Sequence, residues 1–176
     1  MRSAASPSDE RPLAGRTVVV CRAEAEARPL LEELESRGAS TVALPLHRLA
    51  APADGGAALD DAIADIDAYT WLAVTSANGV RALASRLGDG IPTSLSVAAV
   101  GPATADALAE LAIHVDLVPS RATAADLVAA FPIAEAGSRV LAPLNEAAAD
   151  TLAAGLEAKG YTVDRVDAYR MLPLLD

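Results

Sequence analysis

Small hydroxyl side chains stand at two places where an apolar run gives way to a helical pattern. The first stretch, Trp71 to Leu83, reads WLAVTSANGVRAL, and the second, Ser96 to Leu108, reads SVAAVGPATADAL. Each is typical of a buried strand that enters a helix through a polar turn. A Ser, Thr or Asn at such a turn can cap the helix, and the turn then presents free backbone N–H groups beside small hydroxyls.

Strands and helices alternate along the rest of the chain, so we predict an α/β fold with parallel sheets and right-handed crossovers. The predicted strands are Thr17–Cys21, Thr41–Leu46, a strand from Trp71, Ser96–Val100, Val115–Val118, Arg139–Ala142 and Thr162–Tyr169. The predicted helices are Glu24–Arg37, Leu59–Ile66, a helix that ends near Gly88, Ala103–Leu111, Thr123–Phe131 and Glu146–Lys159.

Composition narrows the class of protein. A formal net charge of −10 argues against nucleic acids and anionic membranes as partners. The single cysteine, Cys21, excludes an internal disulfide and offers no metal-ligand cluster. No apolar run approaches the roughly 18 residues of a membrane span. The N-terminal stretch has no signal-peptide core, so we expect residues 1–14 to be a disordered lead-in and the protein to be cytoplasmic.

The chain contains an internal repeat. A shift of 122 positions lays Gly137 on Gly15 and Gly160 on Gly38, each within a strand–helix–Gly–strand segment. The order is therefore a first repeat, a middle segment with three predicted strands, and a second repeat. A second middle segment would bring such a chain to roughly 250–260 residues, the size of two α/β domains. We expect the middle segment and the second repeat to form a whole domain, and the first repeat to expose sheet and helix faces.

In these polar turns and in the order of its repeats and middle segment, the chain resembles the uroporphyrinogen-III synthase family from Gly15 to about Pro173. The matching pieces in chain order are VVVCRA, the Gly38 turn, LPL at Leu44–Leu46, WLAVTSANGV, VGPATA, Val118-Pro119 followed by ATAADL, and the closing DAYR. Their order and spacing carry the resemblance. It departs from the family at Asn145–Ala148, where members often have Arg, and in lacking the half of the first domain that follows the connector.

The resemblance implies two flavodoxin-like, doubly wound domains joined by a two-strand connector. On this basis we assign residues 15–46 to the incomplete first domain, 47–168 to a complete second domain and 169–176 to the return connector. Members of the family cyclise hydroxymethylbilane, a linear tetrapyrrole, to uroporphyrinogen III with loss of water and inversion of ring D. They need no metal or organic cofactor. The resemblance implies a monomer when the protein is complete, and self-association through an incomplete first domain.

The substrate carries eight carboxylates and this chain is acidic, so affinity must come from local donors rather than long-range attraction. We predict those donors at the carboxyl ends of the strands, where ligands of doubly wound sheets bind. The candidate substrate-binding residues are Arg22, Thr75, Ser76, Ala77, Asn78, Gly101, Ala103, Thr104, Ser120 and Thr123. Ser76, Thr104 and Thr123 would also be chosen simply as helix caps, and contact is favoured at Ser76 and Thr104.

Tyr169 matches the family's tyrosine at the end of the last strand of the second domain. The resemblance implies that it donates a hydrogen bond or a proton to the leaving hydroxyl. A connector aromatic that packs between domains is the structural alternative for this residue. The alternative for the whole chain is a catalytically inactive flavodoxin-like module that binds a ligand or a partner protein.

Overall fold

The computed structural model describes residues 11–22, 24–88 and 90–174. Most of the predicted lead-in lies outside these residues. The chain divides into two compact units, of which one is Ala50–Arg170 and the other comprises the residues on either side of that segment. No helix in the described ranges is both long and apolar enough to cross a membrane.

The first unit contains a parallel pair of strands and one helix. Strand β1 spans Thr17–Val20, helix α1 spans Glu24–Ser36 and strand β2 spans Ser40–Ala43. Val20 and Ala27 are buried, whereas the register partners Val19 and Val42 are 52% and 47% exposed. This confirms the expectation that the first repeat exposes apolar sheet residues.

The second unit is built on parallel strands with helices between them. A five-stranded sheet has the order β3-β7-β6-β4-β5, in which β6–β7, β4–β6 and β4–β5 are parallel pairs. The strands are β3 His47–Ala50, β4 Trp71–Val74, β5 Ser96–Ala99, β6 Arg139–Asn145 and β7 Thr162–Pro173. Of these, β3 up to Leu49 and β7 from Met171 are counted with the first unit. The helices are α2 Ala57–Ala64, α3 Ala77–Ala84, α4 Pro102–Ala109, α5 Ala124–Ala130 and α6 Thr151–Glu157, with a 3-10 turn at Ile66–Ala68.

Apolar side chains pack on both faces of this sheet. On one face, α2, α3 and α4 place Leu59, Leu83 and Leu108 in the core that also holds Leu72 and Val97 of the strands. On the other face, α5 and α6 contribute a second core whose buried members include Leu127, Phe131, Leu152, Leu156 and Tyr161. Layers of helix on each side of a parallel sheet are the α/β arrangement that the alternating pattern predicts.

The two repeat segments share the same hydrogen-bonded turn at the end of their helices. Gly38 and Gly160 both have positive φ, at 93° and 95°, where a residue with a side chain would be strained. After each glycine the next N–H returns to the helix, from Ala39 to Leu34 O and from Tyr161 to Leu156 O. The two segments therefore end their helices with the same turn, 122 positions apart in the sequence, and then form a parallel strand beside the first.

The predicted strand Val115–Val118 is wrong as a strand. Only an isolated bridge forms, between Leu117 and Ala98. The reason lies in Asp116, whose Oδ2 accepts the Val97 N–H at 2.7 Å. A side chain thereby takes a donor that a longer ladder would pair with a backbone carbonyl.

The predicted helix Glu146–Lys159 begins later than expected, at Thr151. Asn145 Oδ1 accepts the Ala147 N–H at 2.9 Å and so closes a local turn. The Arg165 guanidinium donates to the carbonyls of Glu146 and Ala148 at 3.2 and 3.0 Å. With these groups committed to a loop, the helix cannot start before Asp150.

The remaining boundaries differ by smaller shifts. Strand β2 ends at Ala43 rather than Leu46, since Pro45 has no N–H to continue the ladder. Helix α4 starts at Pro102, a first-turn position that proline suits. Strand β7 runs past the predicted end at Tyr169, as far as Pro173.

Candidate functional site

The polar turns of the second unit follow the carboxyl ends of neighbouring parallel strands. Thr75–Asn78 follows β4 and Gly101–Thr104 follows β5, and Val74 and Ala99 are register partners at the ends of those strands. The bridge between Ala98 and Leu117 is also parallel, so the chain from Leu117 towards Ser120 leaves the sheet on the same side. We call this side the carboxyl edge; it is where ligands of open α/β sheets bind.

Ser76 caps helix α3 and joins it to the last strand of the sheet. Its backbone is extended, with φ −161° and ψ 153°, and its Oγ accepts the Gly79 N–H at 3.1 Å. The same Oγ lies 2.9 Å from the Tyr169 hydroxyl, in a half-buried hydrogen bond. The cap and the tyrosine therefore form one connected polar group at the carboxyl edge.

A β-bulge directs Tyr169 towards Ser76. Asp167 pairs with Leu144 and Tyr169 with Asn145, which leaves Ala168 as an extra residue in β7. Strict alternation would put Tyr169 on the same face as Val163, which packs with the α5–α6 core. Instead Ala168 and Tyr169 both pack in the core under α2, α3 and α4. Bulges of this kind re-aim side chains, and this one leaves Tyr169 8% exposed with its hydroxyl on Ser76.

The other residues of the first turn are half-buried. Asn78 Oδ1 accepts from Arg81 Nη1 at 2.6 Å, so its amide is partly occupied within helix α3. Ala77 lines a cavity of about 370 Å³ between α3 and α4, together with Ala103 from the second turn. Thr75 precedes the cap and is half-buried.

The second turn is more enclosed than the sequence suggests. Gly101 is buried, and a Cβ there would meet the Ala122 Cβ at 2.6 Å, so the glycine permits a close approach of the loop that precedes α5. Ala103 is exposed, but Thr104 is only 5% exposed. Its N–H donates to Gly101 O at 3.1 Å. Thr104 thus offers little surface to a ligand, and its predicted contact stays a prediction.

The third turn uses its hydroxyl internally. Thr123 Oγ1 accepts the Asp126 N–H at 3.1 Å and caps α5. Its hydroxyl also donates to the Asp126 carboxylate, which lowers the pKa of Asp126 with help from Arg121. The capping alternative therefore accounts for Thr123 without a ligand. Ser120, three residues earlier, is exposed.

Arg22 belongs to the other unit. It follows β1, is exposed, and its N–H donates to Val20 O at 2.9 Å. The structure thus brings Ser76 and Tyr169 together and keeps the turns around them on one edge, while the contribution of Arg22 stays a prediction.

Three residues beside Tyr169 were missed as site candidates. The Glu146 N–H donates to Tyr169 O at 2.9 Å, and Arg170 follows Tyr169 in β7. Arg165 holds the loop after β6 through Glu146 O, Ala148 O and Asp150 Oδ1. The sequence shows Arg165 five residues before the end of DAYR, but no local pattern indicates that its side chain reaches the loop after β6.

A second cleft lies at the opposite end of the sheet, which we call the amino edge. It has a volume of about 580 Å³ and is lined by α2 and the first residues of β6 and β7. Arg139 lies 4.6 Å above the Tyr69 ring and bonds to Asp164 at 2.6 Å and Asp65 at 3.4 Å. Arg139 is therefore paired with carboxylates of this same cleft.

No cluster of three or more His, Cys, Asp or Glu side chains that could hold a metal ion occurs in residues 11–22, 24–88 and 90–174.

Comparison with known proteins agrees with the resemblance. A family model described as uroporphyrinogen-III synthase HemD matches residues 28–175. A curated uroporphyrinogen-III synthase of Synechococcus elongatus is 33% identical over 167 residues, which is 91% of this chain and 62% of that protein. The chain therefore spans about three fifths of the length of this relative.

The fold also matches solved structures. A mutant uroporphyrinogen III synthase from the bacterium Thermus thermophilus superposes with a TM-score of 0.68 at 19% identity, over 90% of this chain and 64% of that one. A wild-type crystal form of the same Thermus protein gives 0.59 over 90% of this chain and 63% of that one, also at 19% identity. These structures support the α/β fold with its parallel sheets. Since the family model covers most of the sequence, the chain belongs to the uroporphyrinogen-III synthase family.

Proposed function

We propose that this chain carries the tetrapyrrole-binding edge of a uroporphyrinogen-III synthase, a cyclising lyase of haem biosynthesis. The reaction converts hydroxymethylbilane to uroporphyrinogen III, with loss of water and inversion of ring D. In this proposal the second unit is one of two flavodoxin-like domains, and β3 and the end of β7 are the two-strand connector. The observation that carries the proposal is the hydrogen bond between Ser76 Oγ and the Tyr169 hydroxyl at the carboxyl edge.

In this proposal the hydrogen bonds around Ser76 all run in one direction. The Gly79 N–H donates to Ser76 Oγ, so the Ser76 hydroxyl is free to donate to the Tyr169 oxygen. The Tyr169 proton is then available to a third group, the hydroxyl of the bilane. A chain of hydrogen bonds that starts at a helix N-terminus polarises each successive donor.

This arrangement supports the first chemical step. The carbon–oxygen bond of the hydroxymethyl group breaks, the oxygen leaves as water with the donated proton, and the electron pair of the pyrrole nitrogen forms an azafulvene. Ring D then attacks this carbon through its already substituted position, and rearrangement gives the inverted ring. In our proposal Tyr169 orients and protonates the leaving hydroxyl, and the turns fold the bilane so that this attack has the shorter path.

Carboxylate binding falls to groups at the same edge. Backbone N–H groups at the start of α3 and α4 and the hydroxyls of Thr75 and Ser120 are suited to acetate and propionate oxygens. The net charge of −10 gives no general attraction for an anionic substrate, so these local donors must supply the binding. Arg22, Ala77, Asn78, Ala103 and Thr104 stay in this proposed set.

The exposed apolar residues of the first unit favour a second candidate function. Val19 and Val42 would be covered if the parallel pair β1–β2 joined another protein segment. A module that binds a partner in this way, without catalysis, would use the same fold. Parallel strand edges and apolar faces are common templates for such pairing.

An assay of product isomers separates the two functions. Purified chain is given freshly made hydroxymethylbilane, and the uroporphyrinogen isomers are separated by chromatography. Spontaneous closure gives isomer I, so the lyase proposal predicts isomer III in proportion to added protein. Isomer I alone, at every protein concentration, would reject catalysis by this chain and favour the partner module.

A further inference from the structure

Two charged side chains next to Tyr169 have buried polar atoms with no hydrogen-bond partner in the described part of the chain. Among the described residues, Glu146 Oε2 and Arg170 Nε are enclosed and form no hydrogen bond. Arg165 Nε is also buried and bonds to no described residue. The terminal nitrogens of Arg165, however, bond to Glu146 O, Ala148 O and Asp150. Leaving a buried polar atom unpaired is unfavourable, so each such atom in a folded protein calls for an explanation.

Glu146 and Arg170 are neighbours at the carboxyl edge. Asn145 and Tyr169 are the last register pair of β6 and β7, and each of the two residues follows one member of that pair. The Glu146 N–H donates to Tyr169 O at 2.9 Å, which fixes the backbones side by side. The two side chains nevertheless leave these atoms unbonded within the part of the chain that is described, so neither atom satisfies the other.

The pair offers complementary chemistry to one kind of ligand group. The Arg170 guanidinium can bond to an added acceptor, and a carboxylate is the acceptor that best fits the geometry of its N–H groups. The Glu146 carboxylate can accept a hydrogen bond from an added donor. A pyrrole N–H is such a donor, and it is neutral, so it adds no negative charge next to Glu146. A pyrrole ring that carries an acidic side chain supplies both groups from one rigid unit.

We propose that Glu146 and Arg170 form a subsite for one carboxylated pyrrole ring of the substrate. Arg170 binds an acetate or propionate of that ring, and Glu146 accepts its N–H. This inference rests on the proposed tetrapyrrole ligand and gives a role to two residues for which the resemblance implies none. The subsite adjoins Tyr169 along the backbones of β6 and β7.

The test is a binding measurement that does not depend on turnover. The probe is an unreactive bilane with a methyl group in place of the hydroxymethyl group, which keeps the eight carboxylates and the pyrrole N–H groups. Its dissociation constant is measured by calorimetry for the wild-type chain, Arg170→Gln, Arg170→Lys and Glu146→Ala. Arg37→Gln is the matched control, because Arg37 is exposed and its partner Glu33 lies 2.6 Å away on α1.

We expect Arg170→Gln and Glu146→Ala each to weaken binding about tenfold, the typical loss of one charge-assisted contact. Arg170→Lys should recover part of the loss, and Arg37→Gln should bind as the wild type does. Thermal unfolding without the probe should be unchanged or improved in Arg170→Gln, because its Nε has no partner to lose. A side chain that served only the fold would instead lower the unfolding temperature.

Three results would overturn the inference. They are unchanged binding in both variants, a loss of binding that parallels a loss of stability, and failure of the wild-type chain to bind the probe. Failure of the lyase proposal would look different. A chain that binds the probe through Arg170 and Glu146 but yields only isomer I keeps the subsite and loses the catalysis.

Discussion

The two ends of the second unit's sheet each carry a tyrosine and an arginine, but the hydrogen bonding of these residues differs between the ends. At the amino edge, Tyr69 and Arg139 are satisfied by Asp164 and Asp65, and the guanidinium lies over the ring. At the carboxyl edge, the Tyr169 hydroxyl bonds to Ser76, yet Glu146 and Arg170 have buried atoms that bond to none of the described residues. The internal pairs of the amino edge need no further partner, whereas we infer that the unbonded atoms of the carboxyl edge bind a ligand.

The largest expected effect separates the two tyrosines. Tyr169→Phe removes the proposed proton donor and should reduce the rate of isomer III formation about a hundredfold, at the low end for a positioned acid. Tyr69→Phe is the matched control at the amino edge and should leave that rate unchanged. Chromatographic analysis of isomers III and I measures both. Equal losses in the two variants would erase the distinction between the edges.

Two arginines of the sheet sharpen the comparison next. Arg165→Gln should lower the free energy of unfolding by about 2 kcal/mol, because it releases three hydrogen bonds to the loop after β6. It should also weaken binding of the methyl bilane, since Glu146 lies in that loop. Arg139→Gln should lower stability without changing binding, because its partners lie at the amino edge.

Denaturant unfolding and calorimetric titration of both variants measure these effects. Weaker binding in Arg139→Gln with intact binding in Arg165→Gln would reverse the assignment of the edges.

A smaller effect compares two helix caps of the carboxyl edge. Ser76→Ala and Thr123→Ala each remove a cap and should cost about 1 kcal/mol of stability. Only Ser76 holds the Tyr169 hydroxyl, so only Ser76→Ala should also slow isomer III formation. Chemical denaturation and the isomer assay are run on the same preparations. A similar slowing in Thr123→Ala would show that the cap itself, and not its bond to Tyr169, matters for activity.

The smallest effect is a change of stability with pH that is linked to Tyr69 and occurs only at high pH. Burial and the hydrogen bond to Asp164 raise the pKa of Tyr69 to about 12, while an unfolded tyrosine has a pKa near 10. Between about pH 10 and pH 12 the unfolded state therefore binds fewer protons than the folded state. The stability linked to Tyr69 is complete below about pH 10 and is lost as pH rises through this window.

Absorbance of tyrosinate, followed against pH in the wild-type chain and in Tyr69→Phe, checks this. Burial also raises the pKa of Tyr161, so the late-titrating absorbance should fall in Tyr69→Phe without vanishing. An equal late-titrating absorbance in the wild-type chain and in Tyr69→Phe would contradict the enclosure of Tyr69 at the amino edge.

Local sequence patterns predicted most of the fold, because helix caps, glycine turns and apolar runs act within a few residues. The turn at Ser76 and the glycines at positions 38 and 160 are examples. The patterns failed where a side chain from elsewhere decided the outcome. Asp116 replaced a strand by a single bridge, and Arg165 delayed helix α6.

The same limit applies to the candidate site. Ser76 and Tyr169 were each predicted, but their contact spans 93 positions and depends on the bulge at Ala168. Strand alternation alone would have put the tyrosine on the wrong face. The roles proposed for Glu146 and Arg170 rest on buried atoms that bond to no described residue, and no pattern of residue types reveals this.

The most direct test of the account maps the ligand onto the sheet. Backbone amide NMR shifts are recorded as the methyl bilane is added to the labelled chain. We predict the largest changes at the carboxyl edge, around residues 75–78 and 145–148 and at Tyr169, with Tyr69 and Arg139 unaffected. Changes centred on Tyr69 and Arg139 instead would contradict the assignment of the carboxyl edge as the tetrapyrrole site.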